Sequence, residues 1–430
     1  MPSLAERSLA VFPAGSNGEF NLPAELSMVI DRGQGCELWD CDGARYYDFS
    51  MGWGSVLVGH ARREVVEAVV ARASLGSNFS YITREALLLA EEIVRVSPAC
   101  DEVRFCASGT EATMYCQRLA RAFTGRVKIL KFEGAYHGAN ELGVTSLFPS
   151  GPPQFPRPQP TSAGIESMVR DQVLVAPFND LERTREIVDA NSRELAAIIV
   201  EPLQRCVSPQ PGFLAGLREF TQRHNLLLIF DEVVTGFRLA YGGAQEYYGV
   251  VPDLVAYGKA LGGGYPIGAF GGRREIMDLV REDRLGHSDY VWVASTLAGN
   301  PISATAARAA LRVLAGPGVY PRLHDLGEYL RGGMRRVLAD RGVEAQVIGD
   351  GPLAQFVLSP EPVCDYRSSQ SVDKRLAREV MLGLVRRGIF LNPMGTKLYL
   401  SLAHDERVCD EFLNRFDEAL QEAAESSVCG

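Results

Sequence analysis

The sequence has no apolar run near the ~18 residues that a membrane-spanning helix requires; its apolar runs, such as Leu226 to Phe230, are short. It has no basic surplus either. Lys and Arg total 44 against 53 Asp and Glu, a formal net charge of -9, which argues against a nucleic-acid-binding surface. Its six histidines form no HxxxH pair, and its nine cysteines form none of the close pairs of a zinc site. No metal is therefore expected, and the cysteines read as reduced and mostly buried thiols. Glu6 and Arg7 interrupt the weakly apolar N-terminal segment, so no secretory signal is expected and a cytoplasmic location is.

With 430 residues, 46% hydrophobic and 23% charged, the composition is that of a globular enzyme with one large and one smaller domain. Residues 1–55 read as an N-terminal arm belonging to the small domain, with a hairpin turning at Asp42-Gly43. Residues 56–303 alternate helical segments such as REALLLAEEIVRV with short apolar strands such as VKILKF, AAIIVEP and LLLIFDEV. Buried strands separated by helices predict an α/β domain with a mostly parallel central sheet. Residues 304–430 read as a smaller α+β domain ending in a helix. Six of the twelve residues from Pro149 to Pro160 are proline, which excludes regular structure. This stretch is expected to be a surface loop or a lid over the active site.

The chemistry concentrates at strand ends. LLLIFDEV carries an apolar strand straight into Asp231, and ligands of open α/β sheets bind at that carboxyl edge. Lys259 lies 28 residues later in AYGKALGGGYPIG. A lysine in a tight, partly desolvated place has a lowered pKa and attacks carbonyls; a surface lysine in a glycine-rich loop is the alternative. The pair fits pyridoxal 5'-phosphate (PLP), held by a lysine Schiff base with an acidic partner for the ring nitrogen. At ~4 Å and an effective dielectric of about 20, that ion pair is worth about 4 kcal/mol of Coulomb energy.

Two further clusters support this reading. SGTEA places Ser108, Gly109 and Thr110 at a strand-to-helix junction, an anion site suited to a phosphate, although either hydroxyl could serve only as an N-cap. FEGAYHG puts Tyr136 and His137 just after a strand, where an aromatic can stack on a flat heterocycle or simply pack in the core. Gly262, Gly264 and Gly268 loosely suggest a dinucleotide loop, but they come late in the chain without an acidic residue at the required spacing.

SGTEA, FEGAYHG, FDEVVTGFR, PDLVAYGKALGGGYPIGAFGG and TLAGNP, in this order and spacing, resemble the class-III aminotransferases of PLP fold type I. The likeness runs from about Gly35 to the C-terminal SLAH segment. It is nearest to the glutamate-1-semialdehyde aminomutase-like subgroup, notably through DEVVTGFRLAYGGAQEYYGV.

The resemblance implies a ping-pong transaminase acting on an amine or amino acid and an oxo acid or aldehyde, with intramolecular aminomutase chemistry as the alternative. It implies that Lys259 holds the cofactor and moves the substrate proton, and that Asp231 pairs with the ring nitrogen. Val233 and Tyr136 would take the two ring faces, and Ser108, Gly109 and Thr110 the phosphate. Glu201 would line the site. Thr296 would reach the phosphate of the neighbouring subunit's cofactor, making the active unit a homodimer.

The aminomutase pattern is broken in three places, one being the proline-rich 149–160 region with TSAGIES, which differs from the subgroup's glycine- and serine-rich gating loop. Glu19, within Gly15 to Pro23, stands in a segment without the subgroup's arginine, and Thr396 replaces its glutamate near the C-terminus. Lys397 is a candidate replacement cation or a solvated surface residue.

Overall fold

The computed structural model describes residues 2–428 apart from 19 and 152, so Glu19 lies outside the described residues. The chain divides into two compact units: residues 1–63, 317–363 and 367–430, and residues 64–316 with 364–366.

In the first unit, β1 (Ile30–Gln34), β2 (Glu37–Asp40) and β3 (Arg45–Asp48) form an antiparallel meander. The reversal between β2 and β3 contains Asp42-Gly43, with Gly43 at φ +88°, a conformation that glycine adopts without strain.

The second unit is built on a seven-stranded sheet. Its strands are β4 (Glu102–Cys106), β5 (Lys128–Phe132), β6 (Val173–Ala176), β7 (Leu195–Val200), β8 (Leu227–Glu232), β9 (Leu254–Tyr257) and β10 (Gly268–Gly272). Their order is β4-β10-β9-β8-β7-β5-β6. Only β10 runs against its neighbours. Every residue of β7 and β8 is buried, as apolar strands covered on both faces must be. The helix Gly109–Thr124 follows β4 directly and buries Ala112, Tyr115, Cys116, Leu119 and Ala120. The parallel register brings the carboxyl ends of β4, β5, β7, β8 and β9 to one edge of the sheet.

The proline-rich segment is hydrogen-bonded to its neighbours at several described residues. Gln159 O accepts from Ser146 N at 2.7 Å, Thr161 Oγ1 accepts from Leu147 N and Phe148 N, and Pro156 O accepts from Val175 N at 3.0 Å. These bonds anchor it to the sheet unit.

The remainder of the first unit adds β11 (Gln346–Ile348), β12 (Leu353–Val357), β13 (Ile389–Phe390) and β14 (Lys397–Tyr399). β13 pairs in parallel with β3, and β11-β12-β14 form a separate antiparallel sheet. Helices Val319–Asp340, Lys374–Arg386 and Glu406–Val428 belong to this unit, whose core includes Met334, Phe356, Leu384, Phe412 and Phe416. Among the described residues no helix is long and apolar enough to cross a membrane.

His404 in this unit is fully buried. Its Nδ1 accepts from Ser401 N at 3.1 Å, so the hydrogen sits on Nε2, which donates to Asp48 O at 3.1 Å. That arrangement fits the neutral ring, and burial pushes the pKa from 6.5 down to about 4. The folded protein then binds fewer protons than the unfolded chain between those pH values, so stability is lost as pH falls from 6.5 towards 4. The loss from this group is expected to reach about 3 kcal/mol, and His404→Gln should flatten the pH dependence of chemical denaturation across that window.

Candidate active site

Five strand ends, those of β4, β5, β7, β8 and β9, meet at the carboxyl edge. Lys259 follows β9 and opens a short turn, Lys259–Gly262. Its backbone lies in the left-handed region, φ +43°, which costs a residue with a side chain roughly 1–3 kcal/mol and persists only where the surroundings enforce it. The preceding Gly258 is closely packed. A Cβ on Gly258 would lie 3.4 Å from Gly109 Cα and 3.3 Å from a Val233 methyl. The residue before the lysine thus packs against the start of the helix Gly109–Thr124 and the residue after β8.

Asp231, on β8, is buried. Its Oδ2 accepts from His137 Nδ1 at 2.8 Å and its Oδ1 from Val233 N at 3.1 Å. The first bond places the imidazole hydrogen on Nδ1. His137 is fully buried, and its Nε2 has no hydrogen-bond partner among the described residues. Thr113 Oγ1 donates to His137 O at 2.6 Å, locking the backbone at this position.

The preceding Tyr136 is held by its backbone N–H, which donates to Glu201 Oε1 at 2.7 Å. Glu201 follows β7, and its second oxygen accepts from Arg205 N at 3.2 Å. The Arg205 guanidinium carbon lies 5.5 Å from the Tyr136 ring centroid. Neither Arg205 nor the buried Lys131 of β5 was expected at this edge. Lys131 carried a signal, a cation within the apolar strand KILKF; Arg205 carried none.

Ser108 caps the helix Gly109–Thr124, its Oγ accepting from Glu111 N at 3.2 Å. The cap uses the hydroxyl as an acceptor and leaves its hydrogen to donate elsewhere. Thr110 Oγ1 accepts from Ala139 N at 3.2 Å, joining this helix start to the loop of Tyr136 and His137. The first-turn N–H groups point out of the helix without intrahelical partners. Gly109 is required by space: a Cβ would come within 2.8 Å of both Val233 methyls.

Lys259, Asp231, Val233, His137, Tyr136, Glu201, Ser108, Gly109 and Thr110 therefore form one connected group. Thr296 is not tied into it. It is exposed, and its carbonyl accepts from Asn78 Nδ2 at 3.2 Å. In the other unit, Thr396 is partly buried in the loop before β14, and Lys397 Nζ lies 5.1 Å from the Tyr399 ring centroid. Among the described residues no cluster of three or more His, Cys, Asp or Glu could hold a metal ion.

The residues present fit PLP. A buried carboxylate can meet a protonated ring nitrogen, an orphaned imidazole nitrogen lies beside it, and a glycine cradle opens at a helix N-terminus suited to a phosphate.

Residues 21–420 match the family model of class-III aminotransferases. A protein of Desulfitobacterium hafniense named glutamate-1-semialdehyde 2,1-aminomutase is 39% identical over 422 residues, covering 96% of each chain. Its namesake from Methanothermobacter thermautotrophicus is 41% identical over 421 residues, covering 97% of this chain and 98% of its own. Among solved structures, an omega-transaminase from Sphaerobacter thermophilus superposes with a TM-score of 0.92 at 36% identity, covering 98% of this chain and 97% of its own. The chain belongs to the class-III aminotransferase family, and its fold is the fold type I expected from the motifs.

The contact between Gly109 and Val233 is directly testable. Gly109→Ala is expected to destabilise the cofactor-free protein by about 1–3 kcal/mol through overpacking, measured by chemical denaturation. Adding Val233→Ala should restore part of that loss, because it removes the methyls that the new Cβ meets.

Proposed function

We propose that the protein is a PLP-dependent aminotransferase that takes an amino group from an amine or amino acid and passes it to an oxo acid or aldehyde. The observation that carries this reading is the buried Asp231–His137 pair beside a conformationally constrained Lys259 and a glycine-cradled helix N-terminus. When bound, PLP supplies an electron sink for the pair left on the substrate carbon as its proton departs.

The chain's own residues prepare that step. Asp231, oriented by His137, holds a proton on the ring nitrogen and keeps the ring electron-poor. Ser108, Gly109 and Thr110 bind the phosphate through hydroxyls and first-turn N–H groups. Val233 and Tyr136 flank the ring, and Glu201 fixes Tyr136 through its backbone. The Lys259 amine would hold the cofactor and would serve as the base and acid that moves the proton at the substrate carbon.

The active unit is a homodimer in which Thr296 reaches the phosphate of the neighbouring subunit's cofactor. The segments around Asn78 and Thr296 carry exposed apolar residues: Tyr81 is 84% exposed, Leu75 65%, Ile82 63% and Trp292 60%. Asn78 joins the two segments concerned by bonding Thr296. Exposed apolar residues in two joined segments favour an interaction site there.

A second reading is supported by the curated relatives, whose name describes a 2,1-aminomutase. The two separate cleanly: a mutase isomerises glutamate-1-semialdehyde with no second substrate, whereas a transaminase requires a donor and an acceptor together. A donor–acceptor screen that includes this compound alone decides between them.

Lys259→Ala is expected to abolish the visible absorbance of the bound cofactor and to lower turnover by about 10²–10⁴-fold, the range for a lost acid–base group. Retained absorbance and full activity would exclude the assignment. Thr296→Ala should raise the PLP dissociation constant about tenfold, the effect of one hydrogen bond to a charged group. An unchanged constant would count against the contact between subunits.

A further inference from the structure

We propose that Lys131 is a positioning residue for the cofactor: its buried ammonium gathers the backbone carbonyls of the loop after β5 and so holds Tyr136 and His137 at the carboxyl edge. This inference rests on the reading that the chain binds PLP.

Lys131 is fully buried. Its Nζ lies 3.0 Å from Ala135 O, 3.3 Å from Leu142 O, 3.0 Å from Gly143 O and 2.6 Å from Thr145 O. An ammonium has three hydrogens and no acceptor, so four carbonyls converge on three donors. Burying a cation is costly unless polar groups replace its water, and here the backbone does so completely.

The sources of the carbonyls define the consequence. Ala135 opens the segment, whereas Leu142, Gly143 and Thr145 close it; Tyr136 and His137 lie between. Gly143 O also accepts from His137 N at 3.4 Å. Lys131 and the histidine that binds Asp231 therefore share an acceptor. A carbonyl held by the ammonium restrains the His137 backbone, and through its ring the orientation of the Asp231 carboxylate.

The charges around Lys131 agree with this placement. Burial is the main cause that brings its pKa down to about 7; the Glu201 charge opposes it, the Arg205 charge adds to it and the Asp231 charge opposes it again. A neutral amine keeps only two N–H groups for the four carbonyls, so the protonated form holds the loop best.

The test compares Lys131→Met and Lys131→Gln, alone and combined with His137→Ala, in the full-length protein. PLP affinity and the visible circular dichroism of the bound cofactor are measured, with thermal unfolding of the cofactor-free protein as a control. Lys131→Met is expected to raise the PLP dissociation constant by about tenfold or more and to weaken the visible circular dichroism. In the His137→Ala background the same change should cost less than about threefold, because the two residues act through one path. Lys131→Gln, which retains two N–H donors without charge, should fall between and serves where Lys131→Met does not fold.

Equal penalties in both backgrounds, or a folded variant with wild-type affinity and circular dichroism, would overturn the proposal and leave Lys131 a structural residue alone. Failure of the unsubstituted protein to bind PLP would instead overturn the functional reading on which it rests.

Discussion

The hydrogen bond from His137 to Asp231 joins two strand ends that are distant in sequence, and the rest of the site is arranged around it. Asp231 lies near the end of a strand with every residue buried, where an unpaired carboxylate would be costly. The imidazole satisfies one oxygen and the Val233 N–H the other. Placing that imidazole requires the loop after β5 to be rigid. Bonds from Thr113, Tyr136 and Lys131 converge on that loop from a helix, from the end of β7 through Glu201, and from β5 itself.

The two lysines illustrate what a sequence can and cannot disclose. Lys259 stands among glycines after a strand, and its place beside an aspartate 28 residues earlier made it legible. Lys131 sits in an apolar strand just before FEGAYHG, but its acceptors are backbone carbonyls up to 14 residues away. Backbone acceptors carry no residue identity, so no pattern of side chains announces them.

The sheet was legible to a similarly uneven degree. β7 and β8 are short apolar runs that end in turn or charged residues, and the Asp42-Gly43 reversal was visible from the dipeptide. β10 was not. Its sequence, GAFGG, has poor strand propensity, yet it lies inside the sheet between β4 and β9. The glycines are there for space: a Cβ at Gly268 would come within 2.3 Å of Ser108 O, and one at Gly272 within 2.4 Å of Asp253 O. The same closeness seats the helix start that carries Ser108 and Gly109. In the proline-rich segment, regular structure was rightly excluded, but the bonds to Ser146, Thr161 and Val175 could not be read from composition.

The central claim is that one lysine among those near the carboxyl edge holds the cofactor. Borohydride reduction of the PLP-loaded protein followed by peptide mapping tests it most directly, because reduction fixes the cofactor to the lysine that carries it. A phosphopyridoxyl label on Lys259 alone is the predicted result. A label on Lys131 or on a surface lysine, with Lys259 unmodified, would contradict the account.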